Sequence, residues 1–291
     1  MNHQTEQIII RDTELGEERW LIIPEGTTKI DEHAYESRED FTHFSIPASV
    51  TEIGERAFAG CSKLVEVTLH RELTSLGKFV FSRCTALRMV TLPYTFTEIP
   101  NGFFLGCSNL FAVDFCGGSM GDHASHLQRI GDFAFAACAE FDSAIPDGVE
   151  EIGDFAFQGC RSLGRNMLPP ALPGVVNLPS ALNKMGRYAF MGCTGMEIVS
   201  LGGLTSVSHG AFVDCRRLVS YIPRQVTEIE DYAFANCTAL RQIDFPKTLE
   251  KIGNGVYEGC SSLEEVVIPE RFRDNVSTMF GNTPPAVIKY Q

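Results

Sequence analysis

The feature that most constrains this chain is a register of cysteines. Cys61, Cys84, Cys107, Cys138, Cys160, Cys193, Cys215, Cys237 and Cys260 follow one another at gaps of 23, 23, 31, 22, 33, 22, 22 and 23 residues. Nine of the ten cysteines obey this spacing, and only Cys116 lies outside it. A period of that length, carried through most of a chain, identifies a stack of short units that bury their apolar faces against one another. Ile152 to Leu163 shows one unit whole: an apolar start, Gly153, two variable positions, Ala156-Phe157, then Cys160 and Leu163. An earlier unit, Ile30 to Phe41, keeps Ala34-Tyr35 and carries Arg38 where the thiol would be.

After each Cys, segments such as Leu64–Leu69, Leu87–Leu92 and Leu263–Ile268 alternate apolar with polar residues, which predicts a short half-buried strand. Pro47, Pro93, Pro246 and Pro269 close such segments, because Pro has no N–H for a continuing ladder. A polar residue then opens the next turn (Asn101, Asp132, Asp154, Asp231, Asn254), which predicts a capped, single helical turn carrying Ala-Phe. The aromatics Phe58, Phe81, Phe104, Phe135, Phe157, Phe190, Phe212, Phe234 and Tyr257 are expected to form one stacked column in the core. Gly54, Gly77, Gly131, Gly153, Gly186 and Gly253 make another column, interrupted by Pro100 and Glu230. Pro cannot adopt positive φ, so these glycines are expected to serve close packing.

The residues that carry this pattern resemble the BspA-type leucine-rich repeats of bacterial and protist proteins. Leu64-x-x-Val67-x-Leu69 also matches the general leucine-rich strand motif, although the Asn/Cys-x-Leu that usually follows is absent. The resemblance spans about residues 24–269. It implies a curved, right-handed repeat scaffold for protein binding, often in cell-surface adhesion, and it brings no catalytic residue. The expected fold is therefore an α/β, β-rich leucine-rich-repeat solenoid. Residues 1–29 would form an N-terminal cap with hairpin-like strands, and 270–291 a degenerate C-terminal cap. Between them, 30–269 would hold about ten rungs of 22–23 residues, each a short strand plus a short helical turn, with insertions near 116–127 and 164–174.

The formal net charge of −13 argues against a nucleic-acid or anionic-membrane partner, since no basic block offsets it. Nine thiols in one register have equivalent surroundings, and an odd number cannot all pair. They are expected to be buried, free and packed as small apolar fillers, with no structural disulfides, which favours a reducing or anaerobic setting. Met1 to Gln7 lacks the charged start and apolar stretch of a signal peptide, and no apolar run approaches membrane-spanning length. As the sequence stands this predicts a cytoplasmic protein, or a cell-surface or secreted one if a leader has been removed. Trp20 is expected to cover the end of the stack.

Two kinds of site deserve weighing. Cys116, Asp122, His123 and His126 are the one cluster resembling metal ligands; His-x-x-His is a common spacing, and no second pair supports it. The prevailing expectation there is a solvated loop and no cofactor. The stronger candidate is the outward strand face, because alternate side chains point to opposite faces. One outward column holds His43, Glu66, Met89, Ala112, Ile198, Gln242 and Glu265; the other holds Ser45, Thr68, Thr91, Asp114, Met167, Ser200, Asp244 and Val267. A flat sheet with an apolar middle and polar ends resembles an interface. Met167 belongs to it if Asn166–Pro169, rather than Val176–Pro179, is the strand, in which case both insertions leave the same edge. A separate column of Phe79, Phe133, Phe155, Tyr188 and Tyr232 either pads the outer edge or binds glycans. The leading expectation is a non-enzymatic scaffold that binds a protein partner through the strand face and the insertion edge. The alternatives are a glycan-binding module and, from another class, a metal-dependent hydrolase using the 116–127 loop.

Overall fold

A computed structural model describes residues 6–13, 16–115, 125–165 and 173–291 of the chain. The chain winds into a β-solenoid of about eleven turns. Most turns carry a short strand on one side, here termed the face, and a two-residue strand at the next corner. Face strands pair in parallel and in register: Glu66 with Met89 and Met89 with Ala112, then Val175 with Ile198 and Ile198 with Ser220. Corner strands such as Glu98–Ile99, Arg129–Ile130, Glu151–Ile152 and Lys184–Met185 do the same. One apolar core runs the length of the stack, built from the inward residues of every turn.

The Ala-Phe segments are not helical turns. In one of them Ala57, Ala59 and Cys61 donate N–H bonds back to the third residue before, at 3.3, 2.9 and 3.3 Å. Arg56, Phe58 and Gly60 instead donate to Lys78, Val80 and Ser82 of the next turn, at 2.9, 3.0 and 2.7 Å. This alternation requires a left-handed residue where a helix would need a right-handed one: φ is 55° at Arg56 and 73° at Gly60. The helical residues among those described are Glu270–Asn275 and Val276–Phe280, at the C-terminal end. Nor do the polar residues cap their own turn. Asn101 Oδ1 accepts the Asp132 N–H at 3.0 Å, Asp132 Oδ1 that of Asp154 at 2.9 Å, and Asp231 Oδ1 that of Asn254 at 2.7 Å. Stacking places the next turn's N–H where a helix would have placed its own.

The glycine column lies in ordinary negative-φ backbone. A Cβ on Gly54 would stand 2.5 Å from the Glu32 nitrogen, so backbone of adjacent turns meets there without room for a side chain. The left-handed column lies two residues later and includes Phe79, Phe133, Phe155, Tyr188 and Tyr232 at φ of 56, 56, 56, 56 and 58°.

Among the described residues the face is divided into four separate ladders and is not one flat surface: His43–Ser45 does not pair with Glu66–Thr68, and two later turns carry no face strand. Residues 141–145 form no strand. Ala144, in the inward column of Val67, Val90 and Val113, is exposed, and Ser143 Oγ accepts the Val113 N–H at 3.1 Å in place of a backbone rung. Residues 241–245 also form no strand. Here Tyr221 replaces the aliphatic residue of the preceding turn; its ring lies on Phe234 at 4.4 Å and its hydroxyl meets the Tyr257 hydroxyl at 2.7 Å. It also donates to the Asp244 carbonyl at 3.2 Å. A ring of that size occupies the room a neighbouring rung would need to close onto the ladder.

The second insertion resolves in favour of the later segment. Val175–Asn177 is the strand, with Val176 inward and Leu178 donating its N–H to Ser200 at 3.0 Å. Met167 lies outside the described residues. The two insertions leave different corners: one lies between Ala112–Asp114 and Arg129–Ile130, the other before the face strand Val175–Asn177.

At the N-terminal end, Gln7–Thr13 (β1) and Gly16–Ile22 (β2) form an antiparallel hairpin, and β2 pairs in parallel with His43–Ser45. Trp20 does not cover the end of the stack. It faces outward, stacked on His43 at 4.8 Å with the Arg11 guanidinium 4.8 Å above its ring, while Leu21 points inward and is buried. Strand alternation sends Trp20 and Leu21 to opposite sides. The thiol column ends instead at Arg38, whose guanidinium lies 5.5 and 5.7 Å from the Tyr35 and Phe41 rings and pairs with Glu6 and Asp40.

Candidate binding face

The core columns position the face. From Phe58 to Tyr257 successive aromatic rings stand 5.6, 6.1, 5.3, 5.1, 5.1, 5.5, 5.3 and 6.0 Å apart. Beside them each thiol donates to the carbonyl of the aromatic one turn earlier: Cys84 to Phe58 at 3.2 Å, Cys107 to Phe81 at 3.0 Å, Cys160 to Phe135 at 3.2 Å. Cys61, Cys138, Cys193, Cys215, Cys237 and Cys260 repeat that bond to Tyr35, Phe104, Phe157, Phe190, Phe212 and Phe234. All nine described cysteines are free and buried. Burial pushes the thiols of Cys61, Cys215 and Cys260 up to about 12. Sulfur held neutral in this way is a packing and hydrogen-bonding group, not a nucleophile.

Against this core the face residues divide by exposure. Glu66, Thr68 and Met89 are exposed; His43, Thr91, Ala112, Asp114 and Ile198 are half-buried; Ser200 is buried. Gln242 and Asp244 are exposed on the segment that leaves the ladder, and Glu265 is tied to Lys289 at 2.6 Å. The largest apolar contributions come partly from residues not named in those two columns. Phe111, just before the strand Ala112–Asp114, is 50% exposed, and Ile222 is 47% exposed. Ile222 could have been found by counting four residues on from Leu218, which puts it in the outward column of Thr68 and Thr91. Phe111 precedes the alternating segment, so alternation alone says nothing about it. Among the described residues, every exposed large hydrophobic except Phe133 and Tyr232 lies in β1, in a face strand or beside one: Ile9, Ile10, Met89, Phe111, Ile222, Val267, Val287 and Tyr290. Where the 241–245 segment leaves the ladder, a shallow groove of about 480 Å³ opens between Ile222 and Val267.

The second aromatic column is differently arranged. Phe133 stacks on Phe155 at 5.0 Å and Phe155 on Tyr188 at 5.1 Å, and the Tyr188 hydroxyl meets His209 Nε2 at 2.8 Å. Phe79, Tyr188 and Tyr232 lie against Gly102, Gly210 and Gly255 of the following turn, where a Cβ would collide with their rings. The rings thus spend their faces on one another and on backbone, and present mainly edges.

Of the candidate metal cluster, Cys116, Asp122 and His123 lie outside the described residues. His126 is exposed and meets the Tyr94 ring edge-on at 5.9 Å. Among the described residues no group of three His, Cys, Asp or Glu side chains is placed to hold a metal ion. The corner strands carry a charge ladder in which Arg129 pairs with Glu98 and Glu151, and Lys184 pairs with Glu151 at 2.7 Å. The Lys184 ammonium, with Arg129, holds the Glu151 carboxyl below its ordinary range. No described helix is long and apolar enough to cross a membrane.

Comparison with known proteins agrees with this architecture. The crystal structure of a leucine-rich repeat protein from Bacteroides ovatus ATCC 8483 matches 94% of this chain and 83% of its own, at 24% identity and a TM-score of 0.55. That of the pneumococcal vaccine antigen PcpA matches all of this chain and 87% of its own, at 16% identity and a TM-score of 0.52. Both show the fold alone. No curated protein matches the sequence. The model of the BspA type leucine rich repeat region matches in six copies over residues 122–173 and 174–285, more than half the sequence. A repeat of this period, matched over that span and wound as the geometry shows, places the chain in the BspA-type leucine-rich repeat family.

Proposed function

We propose that the protein is a non-enzymatic scaffold that binds another protein through its face strands. The observation that carries this reading is the segregation of exposed apolar side chains: Met89, Phe111, Ile222 and Val267 stand on or beside the face, among Glu66, Thr68, Asp114 and Asp244. Scattered single hydrophobics need no explanation, but their concentration on one side of a rigid stack, ringed by polar residues, is the layout of a contact surface. A solenoid suits this use, because each turn displays its outward residues at a fixed spacing from the next. The excess of acidic residues favours a basic partner.

The test is an unbiased pull-down comparing the native chain with a Met89→Glu, Ile222→Glu double variant. Both side chains are exposed, so the variant is expected to keep its circular dichroism and melting temperature while losing the principal partner. An unchanged partner list would remove the face from consideration. Glycan binding is the weaker reading, because stacking against a sugar needs a free ring face and the rings of Phe133, Phe155 and Tyr188 are stacked on each other. The hydrolase reading has only His126 among its described residues.

A further inference from the structure

The two ends of the face sheet are finished differently. At the C-terminal end the last strand, Val287–Tyr290, is four residues long; its Lys289 is tied to Glu265 at 2.6 Å, and the Arg273 guanidinium lies 3.8 Å over the Tyr290 ring. A short edge carrying Lys and covered by a second cation is a blunted one. At the N-terminal end β1 is seven residues long, pairs with β2 without a bulge from Gln7–Ile22 to Thr13–Gly16, and is the outermost strand of its sheet among the described residues. It contains neither Lys nor Pro, and the adjacent Arg11 and Asp12 leave it without net charge. Its Ile9 and Ile10 are 40% and 55% exposed. By the same criteria this edge is open to a further strand.

We propose that β1 pairs antiparallel with β1 of a second copy, giving a head-to-head dimer in which the two N-terminal three-stranded sheets run on as one. The occupant follows from the strand's self-complementarity. A two-fold axis normal to the sheet keeps each residue on its own face, so opposed residues must share parity. Centring the pair on Ile9 opposes Ile9 to Ile9, Ile8 to Ile10 and Gln7 to Arg11 of the second copy. Centring it on Ile10 sets Ile8 against Asp12, and centring it on Arg11 sets two guanidinium groups together. Of these registers the Ile9-centred one alone opposes apolar to apolar at all three isoleucines. It brings Glu6, just before the strand, opposite Asp12, but the Glu6 carboxylate is already paired with the Arg38 guanidinium at 2.6 Å. With both β1 edges occupied, growth beyond two copies would need the C-terminal edges to pair with each other, and that edge is blunted. The same axis leaves both candidate binding faces on one side of the dimer, so a multivalent partner would engage both.

The experiment is sedimentation velocity over a range of concentrations, on the whole chain. The expected result is a reversible species of twice the 32.1 kDa chain mass that returns to single mass in Ile9→Lys, with circular dichroism and melting temperature preserved. Register is read by cross-linking in a Cys116→Ser background: Ile9→Cys links to its own copy on mild oxidation, and Gln7→Cys, which faces Arg11, does not. A chain that stays at single mass at the highest attainable concentration overturns the proposal. So does a dimer that survives Ile9→Lys, a series that grows beyond two copies, or Gln7→Cys linking as readily as Ile9→Cys.

Discussion

At the scale of single residues, the most informative position is the one two after the glycine column, whether or not a given turn has glycine there. It is occupied by Arg56, Phe79, Phe133, Phe155, Tyr188 and Tyr232 in left-handed backbone, and by Gly102, Gly210 and Gly255 elsewhere. Glycine adopts that conformation without penalty, whereas a side chain pays about 1–2 kcal/mol for it. The aromatics tolerate the strain because each ring lies on the turn that follows. Replacing Phe155 therefore separates the two effects. Phe155→Ala loses the stacking and keeps the strain, while Phe155→Gly loses both, so urea denaturation is expected to find the Gly variant more stable by about 1 kcal/mol. The usual order, with Ala ahead of Gly, would contradict the assignment. The six-glycine column was readable from Pro100 alone, since Pro there excludes positive φ. The left-handed column was not readable, because it is filled mostly by residues that rarely adopt that backbone.

Among the elements, the strands follow from alternation and the turns do not. Leu64 to Leu69 reads as a strand because inward Leu64, Val67 and Leu69 must be buried whichever turn lies next to them. The Ala-Phe segment reads as a helix start because its polar first residue could accept from its own turn. Only the adjacent turn, with N–H groups 2.7–3.0 Å from those carboxylate and amide oxygens, settles the matter. The break at 241–245 has a similar origin, since a tyrosine in an aliphatic column belongs to the preceding turn. Tyr221 and Tyr257 share a buried hydroxyl pair, which Phe at position 221 would leave with an unpartnered Tyr257 oxygen. Tyr221→Phe is accordingly expected to lower stability by about 1–3 kcal/mol in urea titrations, despite the nearly unchanged volume. A neutral result would mean that Tyr257 finds another partner.

For the molecule as a whole, the thiol column makes stability depend on pH. Each buried thiol has its folded pKa raised by loss of solvation, to about 12 at Cys61, Cys215 and Cys260, from an unfolded value of about 8.5. Above the unfolded value the unfolded chain releases protons that the folded chain retains. The contribution is therefore complete below about pH 8.5 and is lost as pH rises toward 12, by about 1.4 kcal/mol per thiol for each pH unit. Burial raises Tyr221 and Tyr257 as well, which adds to the loss at higher pH in the same direction. Circular dichroism is expected to show a steep alkaline unfolding, with a thiol reagent reacting at the nine register cysteines only as the spectrum collapses. Reaction of those cysteines at about pH 9 with the spectrum still native would show them to be accessible.

Periodicity, taken alone, determined that this chain is a stack, which residues point into it and which lie in register, because an inward column must be apolar in every turn whatever its neighbours do. The family resemblance followed from the same positions. Only the tertiary structure decided how each turn satisfies its backbone, where Tyr221 and Ala144 interrupt the face, and that Trp20 looks outward beside His43. Those outcomes depend on what one turn presents to the next, across a gap of about 22 residues of sequence. A short-range pattern carries no information about hydrogen bonds and ring volumes that exist only once the turns are stacked.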